Sequence, residues 1–184
     1  AKEIAEMAAA GRVLCIDHHA SNDGFGSINV VDPVCESTTV VLLDILDRIS
    51  IQIDRVIAHC LYAGLVTDTG NFRWGRPAMH DIAARLMLYG LDTKQIALEL
   101  MDSNTADDLQ MIGRVLSGLS IEEAGEHRLA VLFVPHEEVA SHADSAIESF
   151  VDYVRALKGT DIGVVFKEQA PQVWAVSLRS SVVN

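Results

Sequence analysis

Cysteine is scarce: Cys15, Cys35 and Cys60 are the only three in 184 residues, and no Cys-x-x-Cys pair occurs. An odd, unpaired set excludes a disulfide framework and a cysteine-rich zinc site, and points to a reducing compartment, the cytoplasm. Each of the three lies in an apolar context and reads as inert packing. Long apolar runs are missing too. Residues 40–43 are cut by Asp44 and residues 129–134 stop at Pro135, far short of the roughly 18 that a membrane helix needs. Basic residues are few, 14 against 26 acidic ones, for a formal charge of −12. Such a surface gains little from a phosphate backbone, so any phosphate it handles must be met by metal ions or a few placed arginines. Without a Gly-x-Ser-x-Gly elbow, a Ser–His–Asp hydrolase has no support. No repeat, low-complexity tract or signal peptide is found, and a first residue of Ala1 rather than Met leads us to expect a missing beginning.

What is present suffices for a folded core. A hydrophobic fraction of 49% and a mean hydropathy of +0.23 exclude a disordered chain. The length fits one ordinary domain or two small or incomplete ones. Residues 13–16 form a short β-rich run ending at Asp17-His18-His19 and a polar loop, the way an open α/β sheet presents its functional edge. Ser37-Thr38 caps a helix on which Leu42, Ile45, Leu46 and Ile49 recur at helical spacing. Residues 56–66 are apolar on almost every side, which predicts a buried helix ending in Thr67-Asp68-Thr69-Gly70. Pro77 opens and Gly90 closes a further helix. Asp92 with Gln95 forms a capping box, and Thr105 caps a helix with Leu109, Ile112, Val115, Leu116 and Leu119 inward. The polar residues 122–126 read as a solvated linker. Beyond them come strands at 129–134, 162–166 and 173–179, and a helix face of Ile147, Phe150, Val151, Val154 and Leu157. In the last strand Trp174, Val176 and Leu178 share one face, expected to be the core side. Ser177 and Arg179 share the other, which leaves Arg179 free to meet a ligand.

Two clusters carry chemistry. Asp17-His18-His19 holds the densest set of ligating groups, imidazole and carboxylate being usual for Mn, Fe, Co or Zn. On its own the triplet reads equally well as a surface loop. Asp68 follows a buried helix, where a carboxylate is costly unless paired or metal-bound, and it reads equally well as an ordinary turn. Taken in order, the motifs are Cys15-Ile16-Asp17-His18-His19, then Val66-Thr67-Asp68-Thr69-Gly70-Asn71-Phe72-Arg73, then Val176-Ser177-Leu178-Arg179-Ser180.

With these motifs the sequence resembles the DHH phosphoesterase family with its DHH-associated C-terminal domain, in the manner of the nano-RNase or oligoribonuclease/pAp-phosphatase branch, over essentially the whole chain. The resemblance implies an α/β fold: a parallel-sheet DHH domain lacking its N-terminal part at 1–118, including a linker helix, and a smaller, truncated α/β C-terminal domain at 119–184. It implies that His18 and Asp68 ligate metal, that His19 faces the scissile phosphate and that Asp17 orients the pair. Arg179 and Ser177 match the substrate-gripping strand, and Arg73 is either a phosphate contact or an exposed ion-pair partner. The implied cofactors are two divalent ions, Mn2+ by family habit, serving in-line hydrolysis. The implied substrates are short RNA oligonucleotides, dinucleotides and 3′-phosphoadenosine 5′-phosphate, with no membrane partner; a homodimer is compatible.

The family's upstream His-x-x-Pro-Asp-x-Asp motif and a further Asp do not occur in residues 1–16, and its Gly-Gly-Gly-His segment does not follow Arg179. The expectation is therefore either the middle of a longer enzyme or a fragment that cannot catalyse by itself. The rival readings are a cyclic-dinucleotide phosphodiesterase or single-strand exonuclease of the same family, and a nucleotide-binding module without catalysis. Of the other histidines, His59 reads as a core residue, His80 as an ordinary residue opening an amphipathic helix, and His127, His136 and His142 as without function.

Overall fold

The computed structural model describes residues 2–101, 104–180 and 182. The chain divides into two compact units, Ala1–Ser103 and Asn104–Asn184, both mixed α/β. Among the described residues no helix is long and apolar enough to cross a membrane.

The first unit opens with helix α1 (Lys2–Ala9), which carried no signal in our reading of the sequence. Strand β1 (Leu14–Asp17) then pairs in parallel with β2 (Ile28–Val31), Leu14 opposite Ile28 and Asp17 opposite Val31. The second strand was also missed, because four residues give period-two patterning nothing to repeat. Helix α2 (Thr38–Arg48) starts where Ser37 Oγ accepts the Val40 amide at 3.2 Å. Helix α3 (Arg55–Asp68) starts at Asp54, whose carboxylate accepts from the Ile57 amide at 2.8 Å. Helices α4 (Ala78–Met87) and α5 (Thr93–Leu100) complete the unit. Asp92 caps α5 as expected, but Gln95 turns to Glu99 and does not return the bond.

The core of this unit gathers Val40 and Leu43 of α2, Leu61, Leu65 and Val66 of α3, Leu86 of α4 and Ile96 of α5. Helices α2 and α3 approach closely at Gly64, where a Cβ would lie 2.3 Å from Thr39 Cγ2. Helix α3 is not apolar all round. Val56, His59 and Cys60 are exposed, so His59 is no core residue and Cys60 is not packed away. The reading of a helix buried on almost every side fails there because apolar composition alone does not show that Val56 and Cys60 lie on an exposed stripe beside His59.

In the second unit the strand order is β3 (Ser120–Ala124), β4 (His127–Val134), β5 (Ile162–Ala170), β6 (Val173–Ser180), with β4 and β5 parallel and the outer pairs antiparallel. The polar stretch read as a linker is β3 and its turn: Ser120 pairs with Val131 and Ala124 with His127 around Gly125 at φ 66°. Helix α6 (Ala106–Leu116), capped by a reciprocal Thr105–Asp108 box, packs Met111, Ile112 and Val115 onto this sheet. It therefore belongs to the second unit, and the division falls at 103/104 rather than 118/119. Leu109 is exposed.

Between β4 and β5 run α7 (His136–Ser141), α8 (Asp144–Glu148) and α9 (Phe150–Arg155). Ile147, Phe150 and Val154 cover Ala130, Leu132, Val134 and Val165. Burying a side chain of this size stabilises by roughly 1.5–3 kcal/mol, enough to fix which sheet face turns inward. That face decides β6. Register sets Ser177 opposite Val165 and Arg179 opposite Gly163, on the helix-covered side. Trp174, Val176 and Leu178 lie on the other side and are 43%, 49% and 58% exposed. The expected orientation is thus reversed: the apolar face of β6 points away from the helices, with Trp174 edge-on to Phe133 at 6.0 Å.

Candidate metal and catalytic site

Strand β1 ends in a carboxylate with its acceptor sites filled. Asp17 Oδ1 accepts from the His18 amide at 2.7 Å, the His19 amide at 3.1 Å and the His19 ring Nδ1 at 2.7 Å. Its Oδ2 accepts from the Asn22 amide group at 2.6 Å. The Asn22 bond first, and the His19 bonds after it, hold the Asp17 carboxyl well below the usual carboxylate range. A carboxylate occupied in this way orients its neighbours, and both imidazoles leave the strand end in fixed directions. His18 Nδ1 lies 3.3 Å from the Cys35 carbonyl, which can only accept, so Nδ1 is the donor there and, in the neutral ring, the lone pair is on Nε2.

That lone pair looks at Asp68. His18 Nε2 and Asp68 Oδ2 are 3.6 Å apart, fifty residues distant in sequence. At metal–nitrogen and metal–oxygen distances of about 2.1 Å, the gap suits two donors sharing one cation. Asp68 closes α3, at the negative end of the helix dipole, a place that disfavours a carboxylate and favours a cation beside it. Among the described residues no group of three or more His, Cys, Asp or Glu side chains converges as a metal site, so the fit is to a pair of donors and not to a closed sphere.

The turn that presents Asp68 is unusual. Gly70, Asn71 and Phe72 follow one another at φ 55°, 61° and 62°, a left-handed run costing roughly 1–2 kcal/mol for each non-glycine residue. Buried Thr69 holds it. Its hydroxyl donates to the Leu65 carbonyl at 2.7 Å and accepts the Phe72 amide at 3.1 Å, while its carbonyl accepts the Arg73 amide at 2.9 Å. The Phe72 ring lies against Tyr62 and His80 at 6.2 and 5.5 Å. Trp74 folds back, and its indole N–H donates to the Asp68 carbonyl at 2.8 Å. The two supporting loops are joined by Glu36 and Arg76: Arg76 Nε and Nη2 reach Glu36 at 2.8 and 3.1 Å, and the Arg76 amide adds 3.0 Å.

The first unit therefore brings together Asp17, His18, His19 and Asp68. Arg73 is exposed, its guanidinium 5.6 Å from the Trp74 ring centroid. Ser177 and Arg179 belong to the second unit, where Arg179 donates to the Leu178 carbonyl at 2.9 Å and borders a small recess with Val154, Thr160 and Gly163. Sequence reasoning missed Asn22, the Cys35 carbonyl, Trp74 and the Glu36–Arg76 pair. Only Asn22 left a trace, as a side-chain amide in the loop just past the triplet. Burial, together with its bond to Asp32, pushes the Cys35 thiol up to about 11, which agrees with an inert cysteine.

No protein-family model matches the chain. It is 29% identical over 172 residues to a Thermus thermophilus protein named bifunctional oligoribonuclease and PAP phosphatase NrnA, covering 92% of this chain and 51% of that one. A Streptococcus mutans protein named probable bifunctional oligoribonuclease and PAP phosphatase NrnA is 27% identical over 173 residues, covering 92% and 55%. The chain is a homologue of these proteins. The likeness to the oligoribonuclease/pAp-phosphatase branch, first read from the motifs, is thus shown. A solved exopolyphosphatase-related protein from Bacteroides fragilis has the same fold, with TM-score 0.76 at 24% identity over 91% of this chain and 50% of that one. The chain spans about half the length of the curated relatives it matches.

Proposed function

We propose that the protein is a divalent-metal phosphoesterase acting on short oligoribonucleotides, dinucleotides and 3′-phosphoadenosine 5′-phosphate, Mn2+ being the ion. The observation that carries this reading is His18 Nε2 facing Asp68 Oδ2 across 3.6 Å, with the His18 proton committed to the Cys35 carbonyl. Bound cations would supply activated water and neutralise charge developing on the phosphoryl oxygens. His18 and Asp68 would hold one ion; two ions need more donors than this pair. Asp17 keeps the His19 proton on Nδ1, which turns Nε2 toward solvent, where it can meet a phosphate oxygen or carry a proton. Arg73 is a candidate phosphate contact, and Ser177 and Arg179 are candidates for gripping substrate. The net charge of −12 matches a small anion captured by metal and a few arginines rather than a long polymer on a basic surface. The free cysteines fit the cytoplasm.

The test is Mn2+-dependent hydrolysis of a dinucleotide, 3′-phosphoadenosine 5′-phosphate and a long single strand. Turnover of the first two, lost in His18→Ala and in Asp68→Ala, is expected; activity kept in either variant overturns the assignment. A second reading, nucleotide binding without catalysis, draws on the absence of a three-ligand group among the described residues. It predicts binding of the same compounds with no turnover.

A further inference from the structure

We infer that Trp74 is the positioning residue that holds Asp68 toward His18, an inference that rests on the metal reading above. The last carbonyls of a helix have no partner within it. The Asp68 carbonyl is one of these, and the Trp74 indole N–H fills it at 2.8 Å from outside the helix. The ring is seated as well as bonded. A Cβ added to Gly70 would come within 2.2–2.8 Å of three indole carbons, so only glycine at 70, already at φ 55°, admits the ring there. The left-handed run 70–72 is what turns the chain back to deliver Trp74 to this place, and buried Thr69 anchors the turn from below. Trp74 thus ties the backbone of the ligand residue to the loop beyond it. Without the donor, the Asp68–Thr69 peptide keeps its N–H bond to the Leu65 carbonyl at 3.1 Å but loses the bond on its carbonyl side, and the Asp68 carboxylate shifts from its 3.6 Å approach to His18. Groups that orient a metal ligand in this way typically account for about 10–100-fold in affinity.

The experiment uses the 184-residue chain with Trp74, with Trp74→Phe, and with benzothienylalanine at position 74, which keeps the bicyclic shape and replaces the N–H by sulfur. Two nuclear magnetic resonance readouts are taken, with a melting curve for each protein. One, without metal, is the cross-relaxation between the His18 ring protons and the Asp68 methylene. The other is the Mn2+ concentration that half-broadens the His18 ring signals. For both variants the expected result is a lost or weakened His18–Asp68 contact and a midpoint raised about tenfold or more. If Trp74→Phe does not fold, the benzothienylalanine chain decides. An unchanged contact, or a midpoint within twofold of the parent in that chain, overturns the role of Trp74. If Mn2+ fails to broaden His18 in the parent, the metal reading fails instead, and the metal-free contact alone judges Trp74.

Discussion

Arg76 reaches back forty residues to Glu36, and that pair joins the loop whose Cys35 carbonyl fixes His18 to the loop whose indole fixes Asp68. The Glu36 side chain is 2% exposed, so the bidentate guanidinium and the Arg76 amide stand in for its water. The Arg76 bonds hold the Glu36 carboxyl below the ordinary glutamate value. A lowered folded pKa contributes stability that is complete above the unfolded value, near 4.3, and lost as pH falls through the folded one. Glu36→Gln is expected to cost about 1.5–3 kcal/mol at pH 7, the range for hydrogen bonds to charged groups. The gap between variant and parent melting curves should close below about pH 4.3; a gap of constant size from pH 7 to pH 3 contradicts this. At this scale the sequence showed where candidate ligating side chains cluster and hid the contacts that support them. His18 and Asp68 announce themselves by residue type and motif. Asn22, Trp74 and the Cys35 carbonyl act through contacts that no spacing rule encodes, since a left-handed run has no sequence period.

Among the elements, α2 and α6 were legible because their caps are side-chain chemistry, Ser37 and Thr105 each accepting the amide three residues on, whereas α3 was legible from its apolar run and its Asp54 cap was missed. Strand β6 was legible as a strand and misread as to its face. Period two divides Trp174, Val176 and Leu178 from Ser177 and Arg179, yet which set turns inward is decided by register against β5 and by the helices over that sheet. The same contact makes a test at this scale. A Cβ on Gly163 of β5 would lie 2.8 Å from Val154 Cγ2 and 3.2 Å from the backbone of Arg155. Gly163→Ala is therefore expected to lift α9 from the sheet and destabilise by about 1–3 kcal/mol, as overpacking does, read by thermal unfolding. An unchanged melting temperature would mean that α9 does not sit on β5 as described.

At the scale of the whole molecule, two cores lie in sequence order, and the elements that present the candidate ligands His18 and Asp68 belong to the first. The mixed α/β class could be read in advance from short apolar strands alternating with helical stripes. The unit boundary could not, because α6 shows an apolar stripe that fits either neighbour until its partners are known. A chain of charge −12 gains little general attraction for phosphate, so the account stands on cation capture by His18 and Asp68. Electron paramagnetic resonance of free Mn2+ tests this directly. The parent chain should deplete the six-line signal of the free ion, and His18→Ala and Asp68→Ala should each leave it intact. A signal untouched by the parent, or depleted as well by either variant, would contradict the account.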